Sequence, residues 1–149
     1  MPVIYVLFTG GFDPVHSGHI NCMKQAATLG NLVVAPNSDR WLAKKKGAAF
    51  QPLNERVAIL ENFKFVHSVL TNWDDQDGSA KNAIYDFYNK YGGSADTLLF
   101  ANGGDRTPNN VGVGEIETCF SLGILPIFNV GGGKTQSSSS FLQEWTRRV

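Results

Sequence analysis

Cysteine is scarce in this chain: Cys22 and Cys119 are the only two in 149 residues, so no disulfide framework can be built and a reducing compartment is expected. Net charge is lacking too. Thirteen basic residues offset thirteen acidic ones, so no global field draws the protein to nucleic acid or to a membrane surface, and neither is expected as a partner. No apolar run approaches the ~18 residues of a membrane span, and the opening Met1-Pro2-Val3 carries no basic n-region. A cytoplasmic protein is therefore expected. Histidine is equally sparse. His16, His19 and Cys22 have a ligand-like rhythm, but His67 and Cys119 stand isolated, so a closed zinc shell is not expected and no protein-held metal is assigned.

What the chain does have is 42% hydrophobic residues in short runs, enough for one domain over residues 1–149 with a sizeable core. Val3–Phe8, Leu32–Pro36, Val66–Leu70, Thr97–Ala101 and Ile124–Val130 read as strands. Ser17–Leu29, Asn54–Phe63, Ser79–Tyr91, Glu115–Leu122 and Ser139–Arg148 read as helices, from apolar residues at three- and four-residue spacing. Strands that are apolar throughout fit a parallel sheet with helices on both faces, an α/β fold. Asn54 is expected to cap the second helix and Ser79 or Asp77 the third, while Asp74-Asp75-Gln76-Asp77 reads as a solvated loop without catalytic role.

The first strand runs into Thr9-Gly10-Gly11-Phe12-Asp13-Pro14-Val15-His16-Ser17-Gly18-His19, a strand-to-helix junction that is a natural phosphate site. Glycines let the backbone approach an anion, and a helix start leaves N–H groups unpaired. His16 and His19 lie about one turn apart, so both rings can serve one phosphoryl group. This G-x-F-D-x-x-H-x-G-H pattern resembles the nucleotidyltransferase superfamily with the HxGH motif, which includes cytidylyltransferases and heptose-phosphate adenylyltransferases.

The resemblance implies a Rossmann-like, doubly wound, five-stranded parallel sheet of order 3-2-1-4-5, with the ligand at the switch point between the first and fourth strands. It implies transfer of a nucleoside monophosphate from CTP or ATP to a small phosphorylated sugar or polyol, with release of pyrophosphate. Magnesium would arrive on the triphosphate. His16, His19 and Lys46 would be the catalytic residues. Gly10, Gly11, Phe12, Lys44, Gly103, Gly104 and Asp105 would bind the nucleotide, with Lys45 as a further candidate beside Lys44 and Lys46 for the triphosphate, the segment Asn102–Arg106 lying where this family reads the base. Asn37-Ser38-Asp39, Lys46-Gly47 and Glu55-Arg56 resemble the sugar- and polyol-phosphate branch. Asp13 and Arg56 would serve the acceptor, although Asp13 could equally hold the loop and Arg56 could simply pair with a carboxylate. Lys134, Thr135, Ser138, Ser139 and Ser140 resemble the C-terminal signature of the family, with lysine in place of the usual arginine and a spacer one residue short.

A homodimer is expected because related enzymes commonly dimerise and because Trp41 and Trp73 read as exposed aromatics, although both could equally belong to the core. Arg40–Gln51 and Gly131–Ser138, each joining glycine to lysine without an apolar pattern, are expected to be mobile until a triphosphate orders them. Two rival functions follow from the same residues. Gly133-Lys134-Thr135 matches the end of a P-loop, but Phe128 occupies the first glycine position of that template. A non-catalytic nucleotide sensor on the same fold is the stronger alternative, and the histidine pair argues against it.

Overall fold

In the computed structural model, residues 1–104, 106–112, 114–132 and 138–149 are described. The chain order is β1 (Ile4–Gly10), α1 (Ser17–Ala27), β2 (Asn31–Pro36), α2 (Asp39–Lys46), α3 (Leu53–Glu61), β3 (Val66–Val69), α4 (Lys81–Tyr91), β4 (Thr97–Gly103), α5 (Glu115–Ser121), β5 (Leu125–Val130) and α6 (Ser138–Arg148). The five strands pair in parallel in the order β3-β2-β1-β4-β5, as the family resemblance implies.

Strand periodicity explains the layers. Successive side chains point to opposite faces, so β1 sends Val6 and Phe8 to one side and Leu7 to the other. β2 does the same with Leu32 and Val34 against Val33 and Ala35. Met23 and Ala26 of α1 and Leu60 of α3 complete one core, while Ala83, Ile84 and Phe87 of α4 and Cys119 of α5 complete the other. Each fully buried aliphatic or aromatic side chain contributes about 1.5–3 kcal/mol. Among the described residues no helix is long and apolar enough to cross a membrane.

Four local expectations are corrected. Arg40–Gln51, not read as a helix, carries α2 over most of its length, started by Ser38, whose Oγ accepts from Trp41 N at 3.0 Å. Pro52, not Asn54, precedes α3, and Ala80 precedes α4 without a side-chain cap. Asp75 is buried rather than solvated, its oxygens accepting from Ser38 N (2.8 Å), Ser38 Oγ (2.7 Å) and Asn37 Nδ2 (3.2 Å). Trp73 is buried and Trp41 half-buried, so neither offers an exposed dimer surface.

Burial pushes the Cys119 thiol up to about 12, with the Glu115 carboxylate adding to the effect. Since the thiolate is the nucleophile, Cys119 is expected to resist iodoacetamide at pH 8 in the native protein and to react once denaturant is added. Peptide mass spectrometry reads this directly, and native-state labelling of Cys119 would contradict the packing.

Candidate active site

A crevice of about 1020 Å³ opens at the carboxyl ends of β1 and β4, where the winding reverses. Its floor is the glycine loop after β1. Gly10, Gly11, Phe12, Asp13, His16 and His19 all line it, together with Lys46, Gly103, Gly104 and Ser138.

The histidines are held by the helix they begin. His16 is the N-cap of α1, and its Nδ1 accepts from Gly18 N at 3.1 Å and His19 N at 3.4 Å. His19 Nδ1 in turn accepts from His16 N at 3.2 Å, closing a reciprocal capping box. The rings stack with centroids 3.8 Å apart and planes 22° from parallel. Because both Nδ1 atoms accept, the neutral rings carry their protons on Nε2, which fixes the donor that each ring offers to a ligand. The N–H groups of Gly18 and His19 are already taken by His16. Phe12, buried and in the left-handed region at φ +52°, packs its ring edge against His19 at 5.0 Å.

Gly131, Gly132 and Ser138 line the far end of the crevice. Gly131 sits at φ +81°, and a Cβ there would stand 2.8 Å from Cys22 Sγ, so a side chain is excluded both by conformation and by space. Asn21 Nδ2 donates to Gly131 O at 2.7 Å, and Ser138 Oγ donates to Pro14 O at 2.7 Å, which brings the start of α6 to the histidine loop. Ser140 is exposed and outside the described lining. Asp105, Lys134, Thr135 and the side chain of Ser139 lie outside the described residues.

The cations are arranged differently from the expectation. Lys46 Nζ donates to Asp13 O at 2.6 Å and pairs with Asp13 Oδ2 at 3.0 Å, so it enters the crevice already anchored. Lys44 is exposed and does not line the crevice; Lys45 does, with its Nζ 5.0 Å from the centre of the Trp41 ring. The helical phase is the reason, since Trp41 with Lys45, and Leu42 with Lys46, stand four residues apart on one side of α2.

Both residues expected at the acceptor are engaged within the protein, as the structural alternative for each requires. Asp13 is 1% exposed and its two oxygens accept from Phe50 N at 2.7 Å and Gln51 N at 2.6 Å, so it pins the α2–α3 connection to the histidine loop. Arg56 is fully buried beneath that loop. Its Nη1 donates to Gly11 O (2.9 Å) and Asn37 O (2.7 Å), its Nε to Gln51 O (3.0 Å) and its Nη2 to Asp39 Oδ1 (2.7 Å). Four of its five donors are engaged, leaving no fork for a substrate phosphate. Asn102 likewise ties β4 to β5 by donating to Ile127 O at 3.0 Å.

On the opposite wall the sequence singles out the segment Asn102–Arg106 but not Glu115, the partner of Arg106. Glu115, 2% exposed, accepts from Ala80 N at 2.8 Å and from Arg106 Nη2 at 2.9 Å, and both charged residues line the crevice. Gly112 makes room for this carboxylate, because a Cβ there would meet Glu115 Oε2 at 2.1 Å.

A family model described as cytidylyltransferase-like matches residues 7–92, more than half of the chain. Glycerol-3-phosphate cytidylyltransferase of Bacillus subtilis is 35% identical over 74 residues, 48% of this chain and 57% of that protein. Bifunctional protein HldE of Vibrio atlanticus is 36% identical over 131 residues, 86% of this chain and 25% of that protein. The crystal structure of a lipopolysaccharide core biosynthesis protein from Thermoplasma volcanium superimposes with a TM-score of 0.61 at 24% identity, over 84% of this chain and 93% of that one, a likeness of fold. The chain spans between 16% and 57% of the length of the first curated relatives it matches. With the matched segment running from β1 through α4, and so containing the histidine loop, Lys46 and Arg56, the chain belongs to the cytidylyltransferase-like family.

Proposed function

We propose that this chain is a nucleotidyltransferase that moves a nucleoside monophosphate from CTP or ATP to the phosphate of a small sugar or polyol. The observation that carries the reading is the stacked His16/His19 pair, held by the capping box of α1 in the lining of a crevice large enough for a nucleotide. The named activity of the glycerol-3-phosphate cytidylyltransferase relative supports a polyol phosphate, and that of the ethanolamine-phosphate cytidylyltransferase relative supports a small phosphate monoester as acceptor.

An oxygen of the acceptor phosphate attacks the α-phosphorus, the bond from that phosphorus to the bridging oxygen breaks, and pyrophosphate leaves with the electron pair. A phosphate is nucleophilic without a general base, so the protein contributes position and charge stabilisation. The histidines donate to oxygens that gain charge, and Lys46, oriented by Asp13, adds its ammonium. The start of α6 at Ser138 closes over the phosphates. No group of three or more His, Cys, Asp or Glu side chains among the described residues is disposed to hold a metal, and Asp13 is engaged by backbone N–H groups. A magnesium ion ligated by the triphosphate and water would neutralise charge on the phosphates. The same proposal takes the chain to act as a homodimer in the cytoplasm, with exposed Phe120 and Leu125 beside the edge strand β5 as the apolar surface to cover.

Pyrophosphate release, measured with CTP and ATP against a panel of phosphorylated sugars and polyols, is expected to require one triphosphate and one acceptor together. Triphosphate binding without pyrophosphate release from any pair would favour the sensor.

A further inference from the structure

We propose that Arg106, braced by the buried Glu115, is the receptor for the phosphate group of the acceptor. The inference rests on the nucleotidyl-transfer reading for the word acceptor, but not for the anion site itself. With Arg56 buried under the loop, Arg106 is the guanidinium that lines the crevice among the described residues. Its side chain is 28% exposed, and of its five donors the described contacts engage one nitrogen, Nη2, with Glu115 Oε1. Glu115 cannot swing away, because its other oxygen holds Ala80 N and Gly112 packs against it. A guanidinium fixed along one edge keeps its remaining donors in a forked array suited to the oxygens of a phosphate monoester.

Its position also suits the chemistry. The histidines stand on α1, which packs on the Val6 and Phe8 face of the sheet. Arg106 and Glu115 are tied to α4 and α5, on the Leu7 face. Displacement at phosphorus places the entering and leaving oxygens roughly in line, on opposite sides of the reacting atom. If the triphosphate lies along the histidine rim, the entering phosphate approaches from the Arg106 wall.

Titration of the isotope-labelled protein with inorganic phosphate, followed by the Arg106 Nε–H resonance and neighbouring amides, tests the site without turnover. Wild-type protein is expected to show saturable shifts. Arg106→Ala should weaken phosphate binding by tenfold or more and Arg106→Lys by several-fold, while CTP and ATP affinity stays within about twofold, tenfold being ~1.4 kcal/mol. With an active pair, the Michaelis constant for the acceptor should rise in parallel and that for the triphosphate should not. Wild-type protein that shows no phosphate-dependent shift, or an Arg106→Ala variant that binds phosphate as the wild type does, overturns the proposal. Equal losses of triphosphate and phosphate affinity would assign the arginine to the nucleotide and overturn it as well. Arg106-dependent phosphate binding in a protein that never releases pyrophosphate would instead remove the transfer reaction and leave the anion site standing.

Discussion

Alanine at His16 or at His19 is expected to lower turnover by ~10²-fold or more, the usual loss when a preorganised donor to a phosphoryl transition state is removed. The structure adds a second effect, since His16 is also the N-cap of α1 and His19 its reciprocal partner. Loss of such a cap costs about 0.5–2 kcal/mol of stability, so an alanine variant mixes two causes. Asparagine at position 16 and glutamine at position 19 separate them: asparagine is a favoured N-cap and glutamine a favoured third residue of a capping box. His16→Asn and His19→Gln should therefore unfold close to the wild-type denaturant midpoint yet lose nearly as much turnover as the alanine variants. Pyrophosphate release and urea unfolding on the same preparations make the comparison. Near-wild-type turnover in both cap-preserving variants would sink the catalytic role of the pair.

The parts of this molecule that were legible in its sequence are those whose physics is local. Uniformly apolar runs gave the strands, glycine ended the first strand, and two histidines one turn apart announced a shared task at the helix start. The strand order came with the family pattern rather than from periodicity. What stayed hidden depends on contacts between distant positions. Arg56 reads as one more charged residue on a helix until Gly11, 45 residues earlier, is seen to lend it a carbonyl. Asp75 reads as part of a solvated acidic run until Ser38, 37 residues earlier, closes over it. The helix α2 was missed because its eight residues carry three lysines and only Trp41 and Leu42 as large apolar anchors. Recognising Ser38 as its cap would have set the helical phase, and with it the choice of Lys45 and Lys46 over Lys44. Arg106 falls in the segment that the family pattern marks, but its partner Glu115 has no such signal, since Ala80, the third member, contributes only a backbone N–H.

Arg56→Met is expected to lower the free energy of unfolding by about 3–5 kcal/mol, the range found when one side of a buried charged network is removed. Methionine fills much of the volume but leaves the carbonyls of Gly11, Asn37 and Gln51 without the donor that now serves them. Each buried acceptor left unpaired costs roughly 1–3 kcal/mol. Asp39 contributes little to this loss, because its side chain is 51% exposed and water can replace the guanidinium. The three carbonyls belong to the loop after β1, the end of β2 and the link between α2 and α3, so one side chain holds the floor of the crevice together. Arg56→Lys should recover part of the stability, since an ammonium can reach some of these oxygens but lacks the planar fork that reaches them all. Urea denaturation of the three proteins decides between this role and an acceptor site. A shift below about 1 kcal/mol in Arg56→Met, accompanied by a raised Michaelis constant for the acceptor alone, would return Arg56 to the substrate.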